Sequence, residues 1–209
     1  MEMKYGITDD ENLAKDIRSH KERKKYRKKK EYKSLKSELL GWLIYILVVV
    51  VFTFVFITFV GQRTTVSGDS MYPTLHDGDS LIIDKISYRF SDPERYDIIV
   101  FPYDYEDEIY YIKRIIGLPG ETIQIIDGEV YIDGELLGET YGNEVIENPG
   151  VAEYAITLGE DEYFVLGDNR NNSKDSRSSS VGIINGEDFV GKAFIRIWPF
   201  SSIGVIAHE

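Results

Sequence analysis

Residues 39–60 read LLGWLIYILVVVVFTFVFITFV, 22 positions without a charge and without a polar stripe. A helix of that length reaches about 33 Å at about 1.5 Å per residue, against a bilayer hydrocarbon core of about 30 Å. A soluble helix this long shows one polar face, and this one shows none, so the pattern predicts a membrane-spanning anchor rather than a buried core helix. Trp42 and Tyr45 stand near one end, where interfacial aromatics belong. A cleavable signal peptide has an apolar region of about 7–15 residues followed by small residues. Here the run is longer and ends in Thr58-Phe59-Val60-Gly61-Gln62, which reads as an uncleaved anchor.

Beyond residue 61 the apolar runs become short and are separated by turn residues. Leu81-Ile82-Ile83, Asp97 to Phe101, Ile109 to Ile116, Tyr163 to Leu166, Phe194 to Trp198 and Ile203 to Ile206 read as strands. Thr122 to Ile126 and Val130 to Ile132 flank Asp127-Gly128, with Asp133-Gly134 following. Asp-Gly supplies the positive φ angles of a tight hairpin turn. Residues 128–160 are acidic, Gly-rich and weakly patterned, and read as a small insertion without a core of its own. No segment past residue 61 keeps a long helical period. The chain is thus expected to be mostly β: one N-terminal transmembrane helix (39–60) between a basic tail (1–38) and a β-rich outer domain (61–209).

Charge orients this arrangement. Residues 1–38 carry 13 Lys+Arg and 8 Asp+Glu, whereas residues 61–209 carry 11 and 28. Twelve of the basic residues crowd into positions 15–36, and positive flanks stay in the cytoplasm. The N-terminus is therefore expected inside and residues 61–209 outside, with the basic stretch touching anionic lipid headgroups. Residues 1–14 are polar and expected to be disordered. The acidic outer half excludes nucleic-acid binding there. The absence of cysteine excludes disulfides and thiolate chemistry.

Three outer segments carry candidate chemistry. Ser70 sits in SGDSMYPTL (67–75), after Gly68 and before Pro73, in a turn able to present a hydroxyl. A serine hydroxyl needs a base. Of the histidines, His20 lies in the tail, His208 at the far end of the chain, and His76 in a turn without a supporting context. Lys113, in YIKRIIGLPGE (111–121), shares a strand face with Tyr111. Desolvation lowers a lysine pKa, and a neutral lysine accepts a serine proton. The loop GDNRNNSKDSR (167–177) offers alternating acids and bases for a local ion-pair network. Taken singly, each has a plainer reading: a serine in a structural turn, a surface lysine with Arg114 facing the other way, a solvated polar loop. Neither a zinc-binding HExxH spacing nor a phosphate-binding GxxxxGK[ST] loop occurs, and no cofactor is expected.

In this order and after an anchor, the three motifs resemble those of the bacterial type I signal peptidases, in the single-anchor Gram-positive form, with Glu121 where an aspartate is common. The resemblance implies a membrane-bound serine endopeptidase that removes signal peptides from secreted preproteins after small residues at −1 and −3. By position it implies Ser70 as nucleophile and Lys113 as general base. Ser173 would orient the lysine amine, Asp175 and Arg177 would form a supporting ion pair, and Asp168 would be another acid of the same box. Val66, Met71, Leu75, Tyr111 and Ile112 would line shallow apolar pockets, with substrate added as a β-strand. Some Gram-negative relatives carry a serine two residues before the nucleophile. Gly68 stands there here, so the oxyanion hole falls to the Ser70 amide, with a water or the Gly68 amide. Two rivals are a self-cleaving cytoplasmic repressor-type protease, which the anchor disfavours, and a tethered β-domain that binds partners without catalysis.

Overall fold

The computed structural model describes residues 8–59, 61–103, 109–142 and 144–208. Residues 1–7 of the tail and Val60, the last residue of the expected anchor, lie outside them. The chain divides into two units, Met1–Phe54 and Val55–Glu209.

The first unit is built on helix α1, Thr8–Phe59. It contains no proline and is rich in Lys, Glu and Leu, all good helix formers, so the basic segment runs straight into the apolar one. The polar tail expected to be disordered is therefore helical from Thr8 onward. Within α1, Lys36–Phe54 is long and apolar enough to cross a membrane, and its side chains are exposed.

The second unit holds two antiparallel sheets. The larger is built from β1 (Gly61–Thr65), β2 (Ser80–Asp84), β3 (Ile98–Pro102), β4 (Tyr110–Gly117), β9 (Glu162–Leu166), β10 (Ile184–Asn185), β11 (Gly191–Trp198) and β12 (Gly204–Val205). Its order is β1-β2-β11-β3-β4-β9-β10, with β12 hydrogen-bonded to β11. The smaller has the order β7-β6-β5-β8, from β5 (Thr122–Ile126), β6 (Glu129–Ile132), β7 (Glu135–Leu136) and β8 (Ile156–Thr157). β5 and β6 join through Asp127-Gly128, whose φ angles of 50° and 83° close the hairpin with Ile126 opposite Glu129.

Alternation along β3 explains why both faces of the large sheet are covered. Ile98 and Val100 enter one apolar cluster with Val66, Met71, Leu75, Leu81 and Ile83. Ile99 and Phe101 enter another with Ile115, Tyr163 and Val165. A third cluster joins the two sheets: Ile116, Phe164 and Leu166 of the large one pack on Ile123, Ile125, Val130 and Ile132 of the small one. The weakly patterned stretch read as an insertion at about 128–160 thus belongs to a sheet that starts at Thr122 and has a packed core. Its short strands β7 and β8 are two residues each, too brief to leave a period in the sequence.

His208 ties the end of the chain to β3. Its Nδ1 accepts the Ile98 N–H at 3.2 Å and lies 3.9 Å from the Asp97 carboxylate, itself bound by Lys192. Burial first, and then Lys192, hold this imidazole below its ordinary pKa, against the pull of Asp97. A depressed histidine stabilises the fold fully above the unfolded value of about 6.5, and that contribution fades as pH falls through and below it. Thermal melts between pH 7.5 and 5.5 should therefore show the wild type losing stability faster than His208→Gln. Equal slopes would remove His208 from the acid response.

Candidate active site

Ser70 sits in the turn that links β1 to β2. Met71 and Leu75 of that turn are 1% and 0% exposed and anchor it in the apolar cluster, leaving Ser70 half-buried above them. The turn is locked to the 167–177 loop twice over. Asn169 N donates to the Ser70 carbonyl at 3.1 Å, and Asn169 Nδ2 donates to the Asp69 carbonyl at 3.0 Å.

Lys113 lies in the part of β4 that pairs with β3, opposite Ile99, while β9 joins β4 only from Arg114 onward. Its amine is buried, the residue being 3% exposed. Nζ lies 2.8 Å from Ser70 Oγ and donates to the Ile112 carbonyl at 2.9 Å. The Tyr111 ring lies beneath it at 5.0 Å. Burial pushes the amine down to about 8, against the opposing pull of Asp175 and Asp168. A substantial fraction is then neutral near pH 8, with a lone pair at proton-transfer distance from the hydroxyl.

Two buried ion pairs hold the loop. Arg177 grips Asp175 through Nε and Nη2, each at 2.8 Å, while Asp175 Oδ2 also accepts the Gly167 N–H at 3.0 Å. Asp168 is held not by the loop's own arginines but by Arg114. Nε and Nη2 of Arg114 reach its two oxygens at 2.8 and 2.7 Å, and Thr74 Oγ1 donates to the same carboxylate at 2.6 Å. The Arg114 guanidinium stacks on the Tyr141 ring at 3.6 Å. One carboxylate therefore ties together the serine turn, the lysine strand and the polar loop. Arg114 does face away from Lys113, yet it is wholly buried rather than solvated, because both faces of β4 are covered. Arg170, also buried, donates to the Gly167 carbonyl and makes a two-pronged pair with Glu139 at 2.5 and 2.6 Å.

The remaining expected residues fall out as follows. Ser173 Oγ is buried and has no hydrogen-bond partner among the described residues, while the Lys113 amine donates to the Ile112 carbonyl. Ser173 presses on Gly167, where a Cβ would run into both Ser173 Oγ and the Ser70 carbonyl, so the loop's one glycine permits this close approach. Val66, Met71, Tyr111 and Ile112 line, with Ser70 and Lys113, a cleft of about 200 Å³. Leu75 is not among its lining residues and belongs to the core beneath. Gly68 has φ 84° and gives its amide to Asp77 Oδ1 at 2.8 Å, so that amide is already committed. Among the described residues no acceptor takes the Ser70 N–H. His76 is exposed and packs edge-on against Tyr72. No group of acidic or histidine side chains suited to a metal occurs among the described residues.

An amine within hydrogen-bond reach of a serine hydroxyl, an amide beside that serine with no acceptor among the described residues and a partly apolar cleft are the kinds of parts an acyl-transfer site uses. Residues 39–198 match the family model described as "Signal peptidase, peptidase S26". The "Probable signal peptidase I-2" of Synechocystis sp. is 43% identical over 160 residues, 73% of this chain and 70% of its own length. "Signal peptidase IB" of Staphylococcus aureus is 34% identical over 182 residues, 80% of this chain and 93% of its own. A crystallised signal peptidase I from Enterococcus faecalis aligns at 36% identity over 49% of this chain and 97% of its own, with a TM-score of 0.41. The family match across most of the chain, with relatives at this identity, leads to one assignment: the chain belongs to the signal peptidase family, peptidase S26, and is a serine peptidase.

Proposed function

We propose that this chain is a membrane-bound endopeptidase that cuts signal peptides from secreted preproteins after small residues at −1 and −3, with Ser70 as nucleophile and Lys113 as general base. The observation that carries the reading is the buried amine 2.8 Å from the Ser70 hydroxyl. The apolar part of α1 serves as anchor. The basic segment before it stays in the cytoplasm and meets lipid headgroups, so the β unit stands on the outer side, where preproteins emerge.

Each step follows from the groups in place. Neutral Lys113 takes the Ser70 proton as Oγ bonds to the scissile carbonyl carbon. The Ser70 N–H donates to the resulting oxyanion. Loss of a single such donor costs about 2.7–4 kcal/mol in other hydrolases. The lysine ammonium then protonates the leaving amine as the C–N bond breaks, leaving the signal peptide esterified to Ser70. Water attacks the ester, giving its proton to Lys113, which returns it to Ser70 Oγ as the acid departs. Asp175 and Asp168 stabilise the transient ammonium from the loop. Substrate adds as an extra strand at the Tyr110–Lys113 stretch of β4, whose edge β9 leaves open, a mode with independent physical sense.

In this reading the cleft lined by Val66, Met71, Tyr111 and Ile112 holds the −1 side chain and takes a methyl group more readily than a branched one. Overfilling a packed apolar site costs about 1–3 kcal/mol. A preprotein series carrying Ala, Val or Leu at −1 should therefore lose kcat/KM by about tenfold or more from Ala to Leu. Equal cleavage of all three would overturn the assignment of this cleft.

A further inference from the structure

Two tyrosine rings and a second lysine amine are gathered beside the Lys113 amine, and one of them, Tyr103, lies outside the three motifs. The Tyr103 ring lies parallel to the Tyr111 ring, with centroids 4.7 Å apart and planes 13° from parallel. Lys174 holds the hydroxyl end of Tyr103: its Nζ lies 4.5 Å from the ring centroid and 2.6 Å from the hydroxyl. Tyr103 is itself fixed at the mouth of the β3–β4 hairpin, where its N–H donates to the Ile109 carbonyl at 2.8 Å. Tyr111 is thus held between Tyr103 and Phe101, whose ring meets it edge-on at 6.1 Å. Tyr111 in turn supplies the apolar floor beneath Lys113.

We propose that Tyr103 is a positioning residue for Lys113: by stacking on Tyr111 and being clamped by Lys174, it fixes the ring that keeps water from the amine. The proposal rests on the reading of Lys113 as the base and adds to it a residue in none of the three motifs.

The direction of the effect follows from the groups around the amine. From its own strand, Lys113 meets the Ile112 carbonyl and the Tyr111 ring, with Arg114 directed to the opposite face and paired with Asp168. From the serine turn it meets Ser70 Oγ. From the loop, Asp175 and Asp168 favour the ammonium, and Lys174 lines the same cleft. β3 places uncharged Ile99 opposite it. The Tyr111 face also favours the ammonium, so loosening that ring withdraws one small stabiliser of the charged form. It also admits water, which favours the ammonium far more. Burial outweighs both carboxylates in setting the low value of about 8, so water entry decides the sign and the amine moves upward.

The experiment uses the full chain in lipid nanodiscs as wild type, Tyr103→Ala and Tyr103→Phe. Two quantities are read: the pH dependence of kcat/KM on a preprotein, and the titration of the Lys113 ε-carbon by NMR on 13C-lysine protein, assigned by its loss in Lys113→Met. Tyr103→Ala should raise both midpoints by about one unit, which is about tenfold less kcat/KM at pH 7 with the high-pH plateau largely kept. Tyr103→Phe, which preserves the stack and gives up only the Lys174 contact to the hydroxyl, should move the midpoints by much less than Tyr103→Ala. A raised amine titration with an unmoved rate profile upholds Tyr103's role and sinks Lys113 as the base. An unmoved amine titration overturns the proposal, whatever happens to the rate. Should the alanine variant not hold its fold, Tyr103→Leu replaces it, and an unmoved titration there overturns the proposal equally.

Discussion

Ser70→Ala and Lys113→Ala should each lower kcat/KM for preprotein cleavage by about 10⁴-fold or more while leaving the fold intact. The size follows from how the two groups act. Oγ cannot attack with its proton on, and no second acceptor approaches it: among the described residues the only side-chain hydrogen-bond partner of the hydroxyl is the Lys113 amine. Because nucleophile and base act as one unit, the double variant should be no slower than either single one. Lys113→His should fail as well, since an imidazole ends nearer the strand backbone than the amine it replaces. Steady-state cleavage by the four variants, with near-ultraviolet circular dichroism to confirm folding, checks the set. A single variant near the wild-type rate, or two losses that multiply in the double variant, would separate Ser70 and Lys113 mechanistically.

Arg114→Ala should destabilise the β unit by about 3–5 kcal/mol, because it strands the Asp168 carboxylate in a site with no exposure. Against a total stability of about 5–15 kcal/mol that is a large share. The loss also reaches the site. Asp168 connects Arg114 to Thr74, four residues past Ser70, and the Asn169 amide that follows it holds the Ser70 carbonyl. Replacing the pair together, Arg114→Met with Asp168→Leu, should recover much of the stability, because no charge is then left buried alone. Chemical unfolding of the three proteins decides this. A single-variant loss below about 1 kcal/mol would mean that water or another group already compensates Asp168.

What the sequence disclosed, and what it withheld, divides along physical lines. The strands β2, β3, β4, β9 and β11 are legible because they are dense in branched and aromatic residues that bury a face. β1, with the sequence GQRTT, carries no apolar signal, since an edge strand hydrogen-bonded to β2 needs none. Motif order brings Ser70, Lys113 and the loop into view, and Asp175 lies paired with Arg177 two residues on. Arg114 was harder to place. Strand parity says it faces away from Lys113, but only the folding of Thr74, Tyr96 and Tyr141 around it makes it a buried partner for a carboxylate 54 residues later. The Arg170–Glu139 pair was hidden for the same reason, since Glu139 lies in the weakly patterned stretch. The commitment of the Gly68 amide to Asp77 and the burial of Leu75 depend on how the turn curls over the core, which spacing alone does not encode.

The most direct test of the central claim is the rate at which a covalent adduct forms on Ser70. The full chain is mixed with a labelled preprotein or a penem-type acylating inhibitor between pH 6 and 10, and the modified residue is located by mass spectrometry. If a buried Lys113 that turns neutral above its midpoint is the base, the adduct maps to Ser70 and its rate rises with pH to a plateau, with a midpoint near the value of about 8 held by the amine. Lys113→Met should form none. An adduct on another residue, a rate independent of pH, or a rate still climbing past pH 10 would contradict the account.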